Sequence, residues 1–220
     1  MGVRLPFNEG TLALRPRETY TGREMERVAR QSMYLYLPNL LTYGRIVAVP
    51  AMVGCFFVEG DFGNWLALAI FVVAGITDAL DGYIARAWEQ QTSLGRMLDP
   101  IADKLLVAAA LMMLAAQQTI AGWSLWAAVI IMSREILVSG LREFLAEVNV
   151  SVPVTQLAKY KTIVQMVAIG FLLAGTAGDK IFPWTTLTGL CLLWISAILT
   201  LYTGWDYFRA GVKHVLEMEH

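Results

Sequence analysis

Long apolar segments recur along this chain and limit it to the folds that a lipid bilayer permits. They lie approximately at residues 39–58, 64–86, 100–118, 122–146, 157–176 and 183–207. A helix needs about 20 mainly apolar residues to cross the hydrocarbon core, where unpaired backbone groups are too costly for irregular chain. Charged residues make up only 16% of the chain, whereas a soluble domain carries about 25%. The pattern therefore predicts an all-α integral membrane protein with six transmembrane helices.

Lysine and arginine are distributed unevenly among the connections between these segments. The first and third connections, "EGDFGN" and "QQTIAG", contain neither residue, whereas the N-terminal tail and the second and fourth connections are basic. Because basic connections stay in the cytoplasm, we expect a multi-pass protein of the inner (cytoplasmic) membrane with both termini on the cytoplasmic side. The net charge of −1 gives no reason to expect a nucleic-acid partner.

Residues 1–37 form a separate region ahead of the first apolar segment. Within it, "TGRE" has the form of a capping box, and apolar residues recur after it at helical spacing. This predicts an amphipathic helix on the membrane surface, with an ordinary polar tail as the alternative. The predicted organisation is a cytoplasmic tail over 1–37, a membrane domain over 38–210 and a C-terminal tail over 211–220.

Four aspartates interrupt the apolar pattern around the second connection. Asp78 and Asp81 are one helical turn apart, and so are Asp99 and Asp103 on the next helix, with Pro100 expected in its first turn. Two antiparallel helices would bring the four carboxylates together near the cytoplasmic boundary of the membrane. Because clustered carboxylates repel one another, they need cations. Oxygen ligands favour Mg²⁺ or Mn²⁺, and ion pairs that join helices are the alternative.

Small and basic residues accompany the aspartates. Gly82 and Ala85 share a helix face with the first pair and leave room for a flat ring, while Arg86 offers a guanidinium to phosphate. With Gly95 they complete the spacing D-x-x-D-G-x-x-A-R-x₈-G-x₃-D-x₃-D. A divalent-cation transporter could also use four aspartates, but it has no clear use for these four residues.

This spacing resembles the signature of the CDP-alcohol phosphatidyltransferase family at every fixed position. The resemblance implies a six-helix membrane domain that forms a homodimer. It implies that Asp78, Asp81 and Asp99 hold two divalent cations on the diphosphate of CDP. It also implies that Asp103 contributes to the metal site and acts as the base that deprotonates the acceptor hydroxyl. The remaining motif residues are then predicted to bind CDP, namely Gly82, Ala85, Arg86 and Gly95.

Polar residues near the start of the first segment indicate a contact with the nucleotide. The stretch "PNLLTYGR" carries Asn39, Thr42 and Arg45 at positions i, i+3 and i+6. It is similar to the opening of the glycerol-phosphate-using branch of the family, where this stretch lines the CDP pocket. Asn39 and Thr42 are therefore predicted to bind CDP, and helix capping is the alternative for Asn39.

Basic residues in the fourth and fifth segments form the candidate acceptor site. They are Arg134, Arg142, Lys159 and Lys161. A cationic pocket beside the aspartates suits an acceptor that carries a phosphate. The alternatives are an ion pair with Glu135 or another acid for Arg134, and the ordinary basic collar of a membrane helix for the two lysines.

The stretches "REILVSGLRE" and "KYKT" also resemble the glycerol-phosphate-using branch. We therefore expect an enzyme that transfers the phosphatidyl group of CDP-diacylglycerol to sn-glycerol 3-phosphate, giving phosphatidylglycerophosphate and CMP among membrane lipids. Alternatives within the family are cardiolipin synthesis and transfer to inositol phosphate or serine. Intramembrane prenyltransferases also bind diphosphates through aspartates, but typically in two separate clusters rather than one compound motif.

Overall fold

The computed structural model describes residues 37–87, 93–148 and 156–218, which form helices and contain no strand. The helices are α1 Leu37–Cys55, α2 Asp61–Ala87, α3 Ser93–Ala116, α4 Ser124–Glu147, α5 Gln156–Asp179 and α6 Thr185–Met218. The all-α prediction is confirmed, and a helix lies at each predicted apolar segment. The tail before residue 37, with its predicted amphipathic helix, lies outside the described residues.

Four of the helices contain stretches that are long and apolar enough to cross a membrane. These stretches are Asp61–Asp78, Ser124–Leu145, Lys159–Asp179 and Thr185–Trp205. The apolar stretch of α1, Leu40–Cys55, is shorter and extends about 24 Å at 1.5 Å per residue. The described part of the chain thus has the helices of a multi-pass membrane protein, and crossing by α1 and α3 stays a prediction.

The outer surface of the bundle carries many large apolar side chains. More than half exposed, for example, are Ile76, Met112, Ile136, Ile163 and Leu201. A water-soluble monomer rarely exposes apolar area of this extent, whereas lipid tails solvate it well. The helix surfaces therefore match a bilayer rather than water.

Helix α3 begins at Ser93, before the start of the apolar segment that marks it in the sequence. Pro100 consequently lies inside the helix and not in its first turn, so that expectation is wrong. The cause is that the helix already includes the polar stretch "SLGRMLD", which precedes the apolar run. Apolar length marks the membrane-embedded part of a helix, not the helix itself.

Helix α5 is the central helix of the bundle. It packs against α2, α3 and α6, and 50% of its apolar stretch is buried, against 22% for that of α2. Its contact with α6 is close, because a Cβ atom at Gly189 would lie 2.8 Å from Cγ of Leu172. Small residues at a helix interface allow this kind of approach between membrane helices.

Helix α5 also bends, at Gly175, where φ is 44° and ψ is −129°. Glycine adopts a positive φ without the steric cost that a Cβ atom would add. Nδ2 of Asn64 in α2 donates a hydrogen bond of 3.3 Å to the carbonyl oxygen of Ala174. This bond gives the carbonyl at the bend a partner and ties the last turn of α5 to α2.

Gly189→Ala is expected to destabilise the bundle, because the added methyl group would overlap Leu172. Overpacking of this kind costs about 1–3 kcal/mol, so the detergent-solubilised variant should unfold at a lower temperature than the wild type. Gly54→Ala is the matched control, since a Cβ atom at Gly54 would meet no atom of the described residues within 4 Å. Equal unfolding temperatures for the two variants would contradict the close approach of α5 to α6.

Candidate active site

A cavity of about 1280 Å³ opens among α2, α3, α4 and α5. Part of its wall is apolar and comes mainly from α2 and α5, for example Phe71 and Met166. The charged residues in the wall are Arg45, Asp78, Asp103, Lys104, Arg134, Glu135, Arg142, Glu143, Lys159 and Lys161. One cavity thus offers both an apolar and a charged environment, which suits an amphipathic ligand.

Two of the four predicted metal ligands meet at a buried arginine. Nη1 of Arg45 contacts Oδ1 of Asp78 and lies 2.6 Å from Oδ1 of Asp103. The side chain of Arg45 is only 1% exposed, whereas those of Asp78 and Asp103 are 40% and 49% exposed. The arginine therefore approaches from inside the bundle, and both carboxylates remain open to the cavity.

The sequence marks Arg45 only as the third polar position of "PNLLTYGR". Its spacing of one helical turn from Thr42 was the signal in the sequence that the two residues share a helix face. In the structure, both are buried on the inner face of α1. An arginine on the inner face of an apolar helix requires acidic partners. The predicted contact of Thr42 with CDP stays a prediction, and the side chain of Asn39 lies outside the described part of the chain.

The other residues of the aspartate motif have side chains that lie outside the described part of the chain. By their backbone positions, Asp81, Gly82, Ala85 and Arg86 belong to α2, and Gly95 and Asp99 belong to α3. Their predicted roles in binding metal and CDP therefore stay predictions.

The described part of the site offers the kind of donor atoms that a divalent cation prefers. Asp78 and Asp103 bring carboxylate oxygens close enough for one positively charged nitrogen to contact both. Mg²⁺ and Mn²⁺ prefer oxygen donors of this kind. Among the residues that the structure describes, no group of three or more acidic, histidine or cysteine side chains could hold a metal. A complete ligand set requires further donors, for which Asp81 and Asp99 are the candidates.

Two of the predicted acceptor-binding cations share one carboxylate. Lys161 donates to Oε1 of Glu135, and Nη1 of Arg134 lies 3.5 Å from the same oxygen. Nη2 of Arg134 also donates to Oγ1 of Thr203 in α6 at 3.1 Å. The ion pair with Glu135 that the sequence offered as the alternative for Arg134 is therefore present. Both cations are nevertheless held at the wall of the cavity.

The remaining cations of the wall come from three helices. Arg142 in α4 and Lys159 in α5 are predicted to bind the acceptor. Both side chains are exposed and line the cavity. Lys104 in α3 belongs to none of the sites predicted from the sequence. Its Nζ donates to Oγ of Ser139 in α4, and both residues line the cavity. The structure thus adds Arg45 and Lys104 to the basic residues near the aspartates.

Comparison with known proteins decides the family. The family model described as CDP-alcohol phosphatidyltransferase matches residues 35–202, which include the whole aspartate motif and every charged residue of the cavity wall. The chain belongs to the CDP-alcohol phosphatidyltransferase family. The resemblance based on the aspartate spacing is therefore confirmed.

Bacterial proteins are similar over most of this CDP-alcohol phosphatidyltransferase. A protein of Rickettsia bellii is 47% identical over 178 residues, which cover 81% of this chain and 96% of the relative. A protein of Cereibacter sphaeroides is 37% identical over 81% of this chain and 96% of its own length. One of Escherichia coli K12 is 37% identical over 84% of this chain and 100% of its own length. All three carry the name CDP-diacylglycerol–glycerol-3-phosphate 3-phosphatidyltransferase.

Arg45→Met is expected to destabilise this phosphatidyltransferase in the absence of divalent cations. The change removes the charge that Asp78 and Asp103 share, and because both carboxylates are partly exposed, the cost is smaller than for a fully buried pair, about 1–3 kcal/mol. Thermal unfolding of the purified protein in detergent with EDTA measures the effect as a lower unfolding temperature.

Lys180→Met is the matched control for this experiment. It removes a lysine from an exposed ion pair, in which Nζ lies 2.7 Å from Oδ2 of Asp61, and exposed pairs contribute little to stability. If Arg45→Met and Lys180→Met lowered the unfolding temperature equally, the contact of Arg45 with the two aspartates would carry no special stabilisation.

Proposed function

We propose that this protein transfers the phosphatidyl group of CDP-diacylglycerol to sn-glycerol 3-phosphate, giving phosphatidylglycerophosphate and CMP. The observation that carries the proposal is the composition of one cavity, where converging carboxylates, a group of cations and an apolar wall lie together. The three named relatives, similar over nearly their whole length, support glycerol 3-phosphate as the acceptor.

The aspartates are assigned to the diphosphate of CDP-diacylglycerol and to the proton of the acceptor. Two divalent cations, Mg²⁺ or Mn²⁺, would be held by Asp78, Asp81, Asp99 and Asp103. When bound, they would neutralise the diphosphate and make CMP a better leaving group. Asp103 removes the proton of the acceptor hydroxyl while the oxygen of that hydroxyl attacks the phosphorus that carries diacylglycerol. The bond from that phosphorus to the oxygen of CMP breaks.

The remaining predicted residues are assigned to the two substrates. The CDP group is bound by Asn39, Thr42, Gly82, Ala85, Arg86 and Gly95. The phosphate of the acceptor is bound by Arg134, Arg142, Lys159 and Lys161. Glu135 acts as a positioning residue, because its carboxylate holds two of these cations toward the cavity.

The membrane setting follows from the same assignment. We place all six helices of the domain over 38–210 across the inner membrane. The tails over 1–37 and 211–220 and the charged wall of the cavity then face the cytoplasm, because basic segments stay on the cytoplasmic side. The acyl chains of CDP-diacylglycerol then remain among membrane lipids while its head group reacts. The family resemblance supports a homodimer.

A panel of acceptors tests the proposed reaction. Purified enzyme in detergent, supplied with CDP-diacylglycerol and Mn²⁺, is offered glycerol 3-phosphate, inositol phosphate, serine or phosphatidylglycerol, and release of CMP is measured. We expect turnover with glycerol 3-phosphate. Turnover with another acceptor and none with glycerol 3-phosphate would assign a different member of the family, with cardiolipin synthesis indicated by phosphatidylglycerol.

Asp103→Asn tests the assignment of the base. The variant keeps the size of the side chain but cannot take a proton, so release of CMP should fall roughly 100-fold or more. Binding of Mn²⁺, measured by electron paramagnetic resonance, should be largely kept. Asp61→Asn is the control, since Asp61 pairs with Lys180 and does not line the cavity. Turnover by Asp103→Asn near the wild-type rate would exclude Asp103 as the base.

A further inference from the structure

The cations of the cavity wall differ in what they contact. Arg45 contacts two carboxylates, while Lys161 and Arg134 share the carboxylate of Glu135. Lys104 instead donates to the neutral hydroxyl of Ser139. Within the described part of the chain, no acidic side chain lies within ion-pair distance of Lys104. Among the described residues, its positive charge therefore lies at the cavity wall without a carboxylate in ion-pair contact.

Lys104 and Ser139 connect the two charged regions of the cavity. Lys104 directly follows Asp103 in α3, and both residues line the cavity. Ser139 lies one turn after Glu135 and one turn before Arg142, so it shares a face of α4 with them. The contact between Lys104 and Ser139 thus joins the aspartate region to the basic face of α4.

The pair has the donors that a phosphate monoester requires. An ammonium group has three N–H donors, of which the contact with Ser139 uses one, and the serine hydroxyl can accept from lysine while donating its own proton onward. An anion is the ligand that best stabilises such a charge in a domain surrounded by lipid. A phosphate monoester accepts several hydrogen bonds and carries up to two negative charges.

We infer that Lys104 and Ser139 bind the phosphate of the acceptor, beside the four basic residues assigned above. This inference rests on the proposed function, which supplies an acceptor with a hydroxyl for Asp103 and a phosphate for the cations. The diphosphate of the donor is the other phosphate in the reaction, but it is assigned to the aspartates. The position of Ser139 beside Glu135 and Arg142 favours the acceptor.

Lys104→Met tests the inference by steady-state kinetics of the full-length enzyme in detergent. Loss of a charged hydrogen bond should raise KM for glycerol 3-phosphate roughly ten- to hundred-fold, with little change in KM for CDP-diacylglycerol. Lys104→Arg, which keeps the charge, should recover part of the loss, and Ser139→Ala should raise the same KM by a smaller factor. Lys180→Met is the matched lysine control outside the cavity.

Inorganic phosphate provides a readout that does not depend on turnover of the acceptor. It should inhibit the wild type in competition with glycerol 3-phosphate, and its inhibition constant should rise in Lys104→Met while that of CMP stays unchanged. An unchanged KM for glycerol 3-phosphate in Lys104→Met would overturn the inference. So would a rise confined to KM for CDP-diacylglycerol, which would assign the pair to the donor instead.

The outcomes separate this inference from the proposed function. A wild-type enzyme that does not use glycerol 3-phosphate overturns the proposed function itself, whereas normal wild-type turnover with unaffected variants overturns only the role of Lys104 and Ser139. Thermal unfolding of each variant shows whether it is folded. If Lys104→Met does not fold, Ser139→Ala and Lys104→Arg test the inference instead. The constants compared are then KM for glycerol 3-phosphate and the inhibition constant of inorganic phosphate.

Discussion

The contact of Arg45 with Asp78 and Asp103 determines how the first three helices meet. An arginine inside an apolar bundle is stable only with acidic partners, and its partners here come from α2 and α3. Because the aspartates are partly exposed while the arginine is buried, the charge that joins the helices lies behind the carboxylates. The same contact therefore serves the bundle on one side and leaves oxygen donors open to the cavity on the other.

Several contacts between polar side chains at the cavity wall join helices of the described bundle. Arg45, Asp78 and Asp103 are joined on one side, and Arg134 connects α4 to α6 through Thr203 on the other. Lys104 with Ser139 joins α3 to α4 between them. Away from the cavity wall, the described helices also pack through apolar and small side chains such as Leu172 and Gly189. Polar contacts at the cavity wall and apolar packing elsewhere therefore both hold the described helices together.

The helices were predictable because apolar length and helical spacing are local properties of the sequence. The aspartate motif was predictable as well, since its spacing lies within two neighbouring helices. Contacts between distant parts of the chain were not predictable. Arg45 and Asp103 are 58 positions apart, and no local sequence pattern indicates that they meet. The sequence offered Glu135 as a partner of Arg134, but only the folded structure shows that Lys161 of α5 shares it.

The carboxylate shared by Lys161 and Arg134 has a consequence for the catalytic cycle. Under the proposed assignment of these two cations to the acceptor, its phosphate competes with a carboxylate already present, so the affinity is a difference between two favourable interactions. The phosphatidylglycerophosphate product keeps that phosphate and must take it away from the same cations. Glu135 is then the anion that pairs with these cations again when the product leaves. A carboxylate shared in this way therefore weakens the binding of the phosphate of substrate and product alike.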